Sequence, residues 1–283
     1  MAEEDNKISG YGLGDVETVI SVDDVQREAE KLAAEGPSRS DLDALVDGEP
    51  LVQIDNLVAG YGKMEILHNF DLRVGKGQSL CLIGPNGAGK STILHSIYGF
   101  MNGDISVGGK NVTKLSPNDK LKTAGVAYIL QDNSVFPDMT VEENLLMGGY
   151  LMDSVEQAQV AADKVLEKYS RLRDRHDQRA GVLSGGERRL LEISRALIMN
   201  PEVLLVDEPS IGLEPRFIDM VFEILDDLQN IEGKTIIMVE QNAKKGLEFA
   251  DLGYVLVSGQ TAKAGLGADL LDDPDVGRLF LGG

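Results

Sequence analysis

From residue 51 onward the chain alternates short apolar runs with segments of helical period, whereas residues 1–50 carry few large apolar side chains. The alternation in 51-LVQIDNLVAGY-61 and 66-ILHNFDLRV-74 predicts a pair of antiparallel strands. Unbroken apolar runs at 80-LCLI-83, 203-VLLV-206 and 236-IIMV-239 are sized for buried strands. No run approaches the roughly eighteen residues that a membrane span requires. Ile93, Leu94, Ile97 and Tyr98 recur at helical spacing. So do Leu190, Leu191, Ile193, Ser194, Ala196 and Leu197, with arginines at 188, 189 and 195. Two short helices fit within the first fifty residues. One starts at Ser21 as N-cap, with Asp24 three residues on and Val22, Val25, Ala29 and Leu32 on one face. The other follows Ser40 and carries Leu42, Leu45 and Val46.

Composition changes this picture in three ways. A length of 283 residues with 42% apolar content allows one large α/β domain or two small ones with a real core. A net charge of −20 argues against nucleic acid or an anionic membrane surface as the main partner. That charge is unevenly placed, because residues 1–50 hold fourteen Asp and Glu against four Lys and Arg. Two readings of this extension stay open: a solvated, partly disordered acidic tail, or an arm that folds against a partner. Its acidity also fits a salt-rich cytoplasm. The single cysteine, Cys81, excludes an internal disulfide framework, fits a reducing cytoplasm and falls where a core residue is expected. The opening MAEEDNKISG is acidic and polar, unlike a secretory signal or a basic transit peptide.

The candidate chemistry lies at the ends of the apolar runs. In 79-SLCLIGPNGAGKSTILHSIYG-99 a strand, a Gly-rich turn and a helix follow one another, with Gly84, Gly89, Lys90 and Ser91 at the positions of a GxxxxGK[ST] phosphate loop. Glycines let successive backbone N–H groups curl around phosphate oxygens, and the helix that follows adds the positive end of its dipole. Lys90 is placed to bridge the β- and γ-phosphates of ATP, and the Ser91 hydroxyl to bind Mg²⁺. The run 203-VLLVDEPS-210 ends in two carboxylates, at the sheet edge where ligands of parallel α/β folds bind. Asp207 is expected in the Mg²⁺ shell, and Glu208 as the general base for the attacking water.

The sequence 183-LSGGE-187 decides among nucleotide-binding families, with Ser184 preceding Asp207 by 23 residues. With these motifs in this order, the chain resembles the nucleotide-binding subunits of ATP-binding cassette (ABC) transporters from residue 51 to the C-terminus. The resemblance implies an α/β P-loop NTPase fold: a RecA-like core, an antiparallel β subdomain and an inserted α-helical subdomain at about 132–195 that docks onto membrane-spanning partners. It implies that Tyr61 stacks on adenine, and that Gly84, Pro85, Asn86, Gly87, Ala88, Gly89, Lys90, Ser91 and Thr92 cradle the phosphates. Gln131 in 128-YILQD-132 is implied to complete the Mg²⁺ shell. Ser184, Gly185 and Gly186 are implied to hold the γ-phosphate of an ATP bound to the opposite subunit. Hydrolysis then requires a head-to-tail dimer with two ATP molecules sandwiched between subunits.

One position departs from the family pattern. After 235-TIIMV-239 the family commonly reads Thr-His-Asp, and this chain reads 240-EQN-242, so Gln241 takes the histidine's place. Glutamine can hydrogen-bond a γ-phosphate but cannot carry a positive charge as imidazole can. A weakened site is therefore expected, with Glu208 intact. His68, His95 and His176 read as structural or surface residues. Together with EPSIGLEP, VEENLLMGG and the ending FLGG, the stretch VEQNA resembles the second ATPase subunit of branched-chain amino-acid importers, including the amide and urea importers. That branch implies a heterodimer with a different ATPase, two membrane permease subunits and an extracytoplasmic substrate-binding protein. It places the chain peripherally on the cytoplasmic face of the cell membrane. An ATPase serving another transporter, or a soluble ABC ATPase without one, are the alternatives.

Overall fold

Two sheets carry the chain in the computed structural model, which describes residues 22–99, 102–131 and 134–281. The antiparallel sheet has β1 (Val52–Tyr61) between β2 (Met64–Val74) and β4 (Asn102–Val107), with β5 (Lys110–Asn111) at its edge. In the second sheet β3 (Ser79–Ile83), β6 (Val126–Ile129), β7 (Val203–Asp207), β8 (Thr235–Val239) and β9 (Leu252–Val257) run parallel. The edge strand β10 (Gln260–Leu266) pairs antiparallel with β9. The strand order is β10-β9-β3-β8-β7-β6.

The unbroken apolar runs are explained by this placement. Every residue of β3, β7, β8 and β9 is buried, as expected of parallel strands covered on both faces. Alternate residues face opposite ways and feed two cores. Cys81, Leu204, Val206, Ile236 and Met238 point to one face. Leu80, Leu82, Val203, Leu205, Ile237 and Val239 join the apolar side of β1 and β2 on the other.

Helices cover both faces. After the arm helices α1 (Val22–Ala34) and α2 (Arg39–Asp43) come α3 (Lys90–Tyr98) and α4 (Pro117–Ala124). Residues 134–197 form a helical unit of α5 (Val141–Gly148), α6 (Val155–Lys168), α7 (Ser170–Arg173), a short 3₁₀ turn and α8 (Gly185–Leu197). Thr140 opens α5 with a capping box closed by Glu143. The chain continues through α9 (Pro215–Asn230), α10 (Ala243–Phe249), α11 (Gly267–Leu271) and α12 (Pro274–Phe280). No helix among the described residues is long and apolar enough to cross a membrane.

A fully buried lysine fixes the far end of α3. The Lys120 ammonium donates to the carbonyls of Ile97 at 2.6 Å and Gly99 at 2.7 Å, the oxygens a helix leaves unpaired at its C-terminus. Burial pushes this ammonium down to about 8.

Residues 22–46 of the acidic extension lie on the domain itself. Ser38, not Ser40, caps the second arm helix: its hydroxyl accepts from the Asp41 amide, and the Asp41 carboxylate accepts from the Ser38 amide. The box needs an acceptor three residues beyond the cap, which Asp41 supplies for Ser38; Asp43 stands three beyond Ser40 but is engaged by Arg73, and Ser40 falls inside the helix. Ser21, the expected cap of the first arm helix, lies outside the described residues. Two of the arm's carboxylates, Asp43 and Glu28, have partners on the domain. Arg73, only 4% exposed, donates to Asp43 at 2.7 Å and Asp55 at 2.6 Å. In the other direction Arg39 forks onto Asp71 at 2.9 and 3.0 Å. Arg278 reaches Glu28 at 2.7 Å. Leu42 is buried in the β1–β2 core and Ala29 against Val257 and Ala262.

Candidate nucleotide site

Four parallel strands end at one edge of the sheet, and each delivers one piece of the site. The loop after β3 holds Gly84 to Gly89, with φ of 143° at Gly84, 82° at Gly87 and 102° at Gly89. Gly89 immediately precedes α3 in the left-handed region, and a Cβ there would lie 2.6 Å from the Leu67 side chain. No other residue fits. Lys90 and Thr92 are buried in the first turn of α3. The Lys90 ammonium folds back over the loop, donating to the carbonyls of Gly84 at 2.7 Å and Pro85 at 3.0 Å. Burial lowers its pKa from the ordinary lysine value, while the charges of Glu208 and Asp207 act against that shift.

The end of β7 lies beside this loop. The Ser91 hydroxyl donates to Asp207 Oδ1 at 3.2 Å, and the Tyr128 hydroxyl donates to Oδ2 at 2.8 Å. Burial, reinforced by the Asp207 charge, raises the Tyr128 pKa and keeps it a donor. Ser91 and Asp207 thus offer two hard oxygens side by side, the donor type Mg²⁺ takes. Among the described residues no group of three or more His, Cys, Asp or Glu could hold a metal. That sparse set suits an ion that completes its shell with water and phosphate oxygens. Glu208 has a φ of 42°, unusual for a residue with a side chain, and its amide crosses to the Val239 carbonyl at 2.9 Å. Gln131, from the loop after β6, donates to Glu208 Oε2 at 2.9 Å.

Gln241 follows β8. It is exposed and shares a cavity of about 420 Å³ with Gly84, Pro85, Asn86, Gly87 and Ala88. Its neighbour Glu240 is buried, accepting from the Ser210 hydroxyl at 2.7 Å and the Asn242 amide at 2.9 Å. Tyr61 ends β1 half-exposed, its hydroxyl paired with His95 Nδ1 at 2.7 Å, so its ring is open to solvent. The hydrogen bonds of Ser184 stay within its own turn, where it forms a capping box with Glu187 at the start of α8. Gly185 and Gly186 form the first turn of that helix. A Cβ on Gly186 would lie 2.1 Å from the Phe217 ring. The phosphate loop, Asp207, Glu208, Gln131 and Gln241 are therefore assembled at one edge, while Ser184, Gly185 and Gly186 present a helix N-terminus of their own.

Three polar residues of this neighbourhood were not legible as site residues: the half-buried Tyr128 and the buried Glu240 and Arg189. Arg189 is only 4% exposed and pairs with Glu192 at 2.9 Å. The signal was present, since opposite charges three residues apart within the apolar span of a helix rarely face water alone.

Comparison with known proteins agrees with this geometry. The family model described as "ABC transporter" matches residues 67–211. The chain is 43% identical over 236 residues to the high-affinity branched-chain amino acid transport ATP-binding protein BraG of Pseudomonas aeruginosa, covering 82% of this chain and 100% of that protein. It is 38% identical to the probable branched-chain amino acid transport ATP-binding protein LivF of Archaeoglobus fulgidus, covering 80% of this chain and 96% of that one. A crystal structure of an ATP-binding cassette in its ADP conformation superposes with a TM-score of 0.73 at 30% identity, over 83% of this chain and all of that one. With the phosphate loop, the acidic pair and the LSGGE helix in these places, the chain belongs to the ABC transporter family, as one of its ATPases.

Proposed function

We propose that this chain energises an importer of branched-chain amino acids, bound to the cytoplasmic face of the cell membrane through two permease subunits. The observation that carries the catalytic part is the pairing of Ser91 with Asp207 beside that of Gln131 with Glu208, at the mouth of the phosphate loop. Gly84 to Thr92 hold the ATP phosphates, and Lys90 exchanges its loop carbonyls for β- and γ-phosphate oxygens. Ser91, Asp207 and Gln131 hold Mg²⁺, which neutralises phosphate charge when bound. Glu208 accepts a proton from water, the water oxygen bonds to the γ-phosphorus, and the bond to the β-phosphate's bridging oxygen breaks. Tyr61 offers a face to adenine.

The N-terminus of α8, with Ser184, Gly185 and Gly186, serves the ATP of a facing subunit. That subunit is a second, different ATPase, because Gln241 stands where the family commonly has a histidine, so this chain's own site meets the γ-phosphate without the imidazole that a partner would keep. The import reading rests on the similarity to BraG and LivF, which are branched-chain amino acid transport ATP-binding proteins. An extracytoplasmic binding protein delivers the amino acid.

The test is purification of the tagged chain from membranes, followed by ATPase assays over a panel of amino acids and amides. Two permeases and a second ATPase are expected to co-purify, and leucine, isoleucine or valine with the binding protein to stimulate turnover. Recovery of soluble partners alone, or stimulation only by a lipid, overturns the import reading.

A further inference from the structure

The two catalytic side chains that meet at the sheet edge, Gln131 and Glu208, stand just past the point where their strands stop pairing. The parallel ladder of β6 and β7 ends with Ile129 opposite Val206. Continuing that register sets Leu130 beside Asp207, and Gln131 beside Glu208. No ladder bond is left there to hold the two segments together, and Arg189 occupies the gap. Its Nη1 donates to the Leu130 carbonyl at 2.7 Å, and its Nη2 to the Asp207 carbonyl at 3.3 Å. One guanidinium thus bonds the peptide unit immediately before Gln131 and the one immediately before Glu208.

Glu192 completes the arrangement. One carboxylate oxygen accepts from Arg189 Nη1 at 2.9 Å, and the other accepts from the Ser134 amide at 3.1 Å. The pair therefore holds the chain on both sides of residues 132–133. Both side chains are buried, and both project from α8, the helix whose first turn carries Ser184, Gly185 and Gly186. A buried arginine aligned by a carboxylate and spent on two main-chain carbonyls is an expensive way to fill a core, since apolar side chains of similar volume would stabilise as well. Its geometry suits the fixed fork of arginine and not the single ammonium of lysine.

We propose that Arg189, aligned by Glu192, is a positioning residue for ATP hydrolysis: it sets the register of Gln131 against Glu208 and ties that register to α8. A displacement of α8 caused by nucleotide at its N-terminus moves Arg189, and with it both carbonyls. The helix that reads one ATP thereby adjusts the water-activating pair of the other. The inference rests on the assignment of Glu208 as base.

The test compares Arg189→Lys, the double variant Arg189→Met/Glu192→Met, Gln131→Ala and their combinations in the purified complex. Turnover and ATP affinity are read separately, and Glu208→Gln sets the baseline for this chain's site. Arg189→Lys is expected to lower kcat about tenfold or more, with KM for ATP within about threefold, because misplacement of the pair spares binding. The Met/Met variant removes both buried charges together and keeps the fold, so its melting temperature should stay near wild type while turnover drops alike. In the Gln131→Ala background the further loss from Arg189→Lys should shrink to about twofold or less, since the two act on one step. Full additivity with Gln131→Ala, or wild-type kcat in the Met/Met variant, overturns the proposal. If Glu208→Gln itself leaves turnover unchanged, the base assignment has failed instead.

Discussion

Gln131 holds Glu208 by a hydrogen bond of 2.9 Å from Nε2 to Oε2, so the carboxylate assigned to water activation is engaged by the residue assigned to the metal shell. In this arrangement Glu208 Oε2 is engaged by Gln131 and its backbone is held at a φ of 42°.

Replacing Glu208 by Gln keeps the shape and the acceptor but removes the base. Hydrolysis at this site is expected to fall by about 10²-fold or more while ATP binding is retained, measured by single-turnover assay beside equilibrium binding. Lys90→Ala should act at the other step and abolish ATP binding. Undiminished binding in that variant means that the loop does not hold the phosphates.

Gln241 borders the same cavity as Gly84 to Ala88 and is exposed. Gln241→His restores a side chain that can carry charge and shuttle a proton. In a complex whose partner ATPase has been silenced, hydrolysis should rise several-fold. An unchanged rate there places Gln241 away from the γ-phosphate.

The acidic arm is expected to contribute to stability through residues 22–46. Leu42 is 2% exposed within the β1–β2 core, so Leu42→Ala should destabilise by about 2–4 kcal/mol. Chemical denaturation checks this, with ATP affinity as the control that should not move. A loss below about 0.5 kcal/mol means that the arm is not seated on the domain in solution.

Lys120 makes a pH prediction. Its ammonium titrates at about 8 in the folded chain and near 10.5 when unfolded. Between these values the unfolded chain holds the extra proton, so stability attributable to Lys120 rises with pH across that window. Below about 8 the cost of the buried charge is fully present, on the order of 3 kcal/mol. The difference in unfolding free energy between wild type and Lys120→Met should therefore change between pH 7.5 and roughly 10. An equal slope for both proteins rejects the shifted value.

Much of the site was readable along the chain because its pieces are local. A phosphate loop is a contiguous strand, turn and helix, and its glycines are required by backbone angles that neighbours alone impose, as at Gly89. The runs ending at Ile83, Asp207 and Val239 announced buried parallel strands, since strands covered on both faces leave no polar alternation. The cap of the second arm helix was misplaced by two residues because each serine has an aspartate three positions on, Asp41 for Ser38 and Asp43 for Ser40. What separates them is a tertiary contact, since Asp43 is engaged by Arg73 and Asp41 is left to close the box on Ser38.

What the sequence determined by itself is therefore the set of chemical groups and the edge of the sheet at which they gather. Which groups touch was decided by the tertiary structure alone. Gln131 meets Glu208, Tyr128 meets Asp207, and Arg189 bridges Leu130 and Asp207 across separations of 18 to 79 residues. Such contacts follow from strand order and from how helix α8 packs beneath the sheet edge, and no local periodicity encodes them. The same holds for the arm, for which a solvated tail and a docked segment were both open until Arg73 and Arg278 were found against Asp43 and Glu28. Charge along a chain states what can ionise, and only packing states what it ionises against.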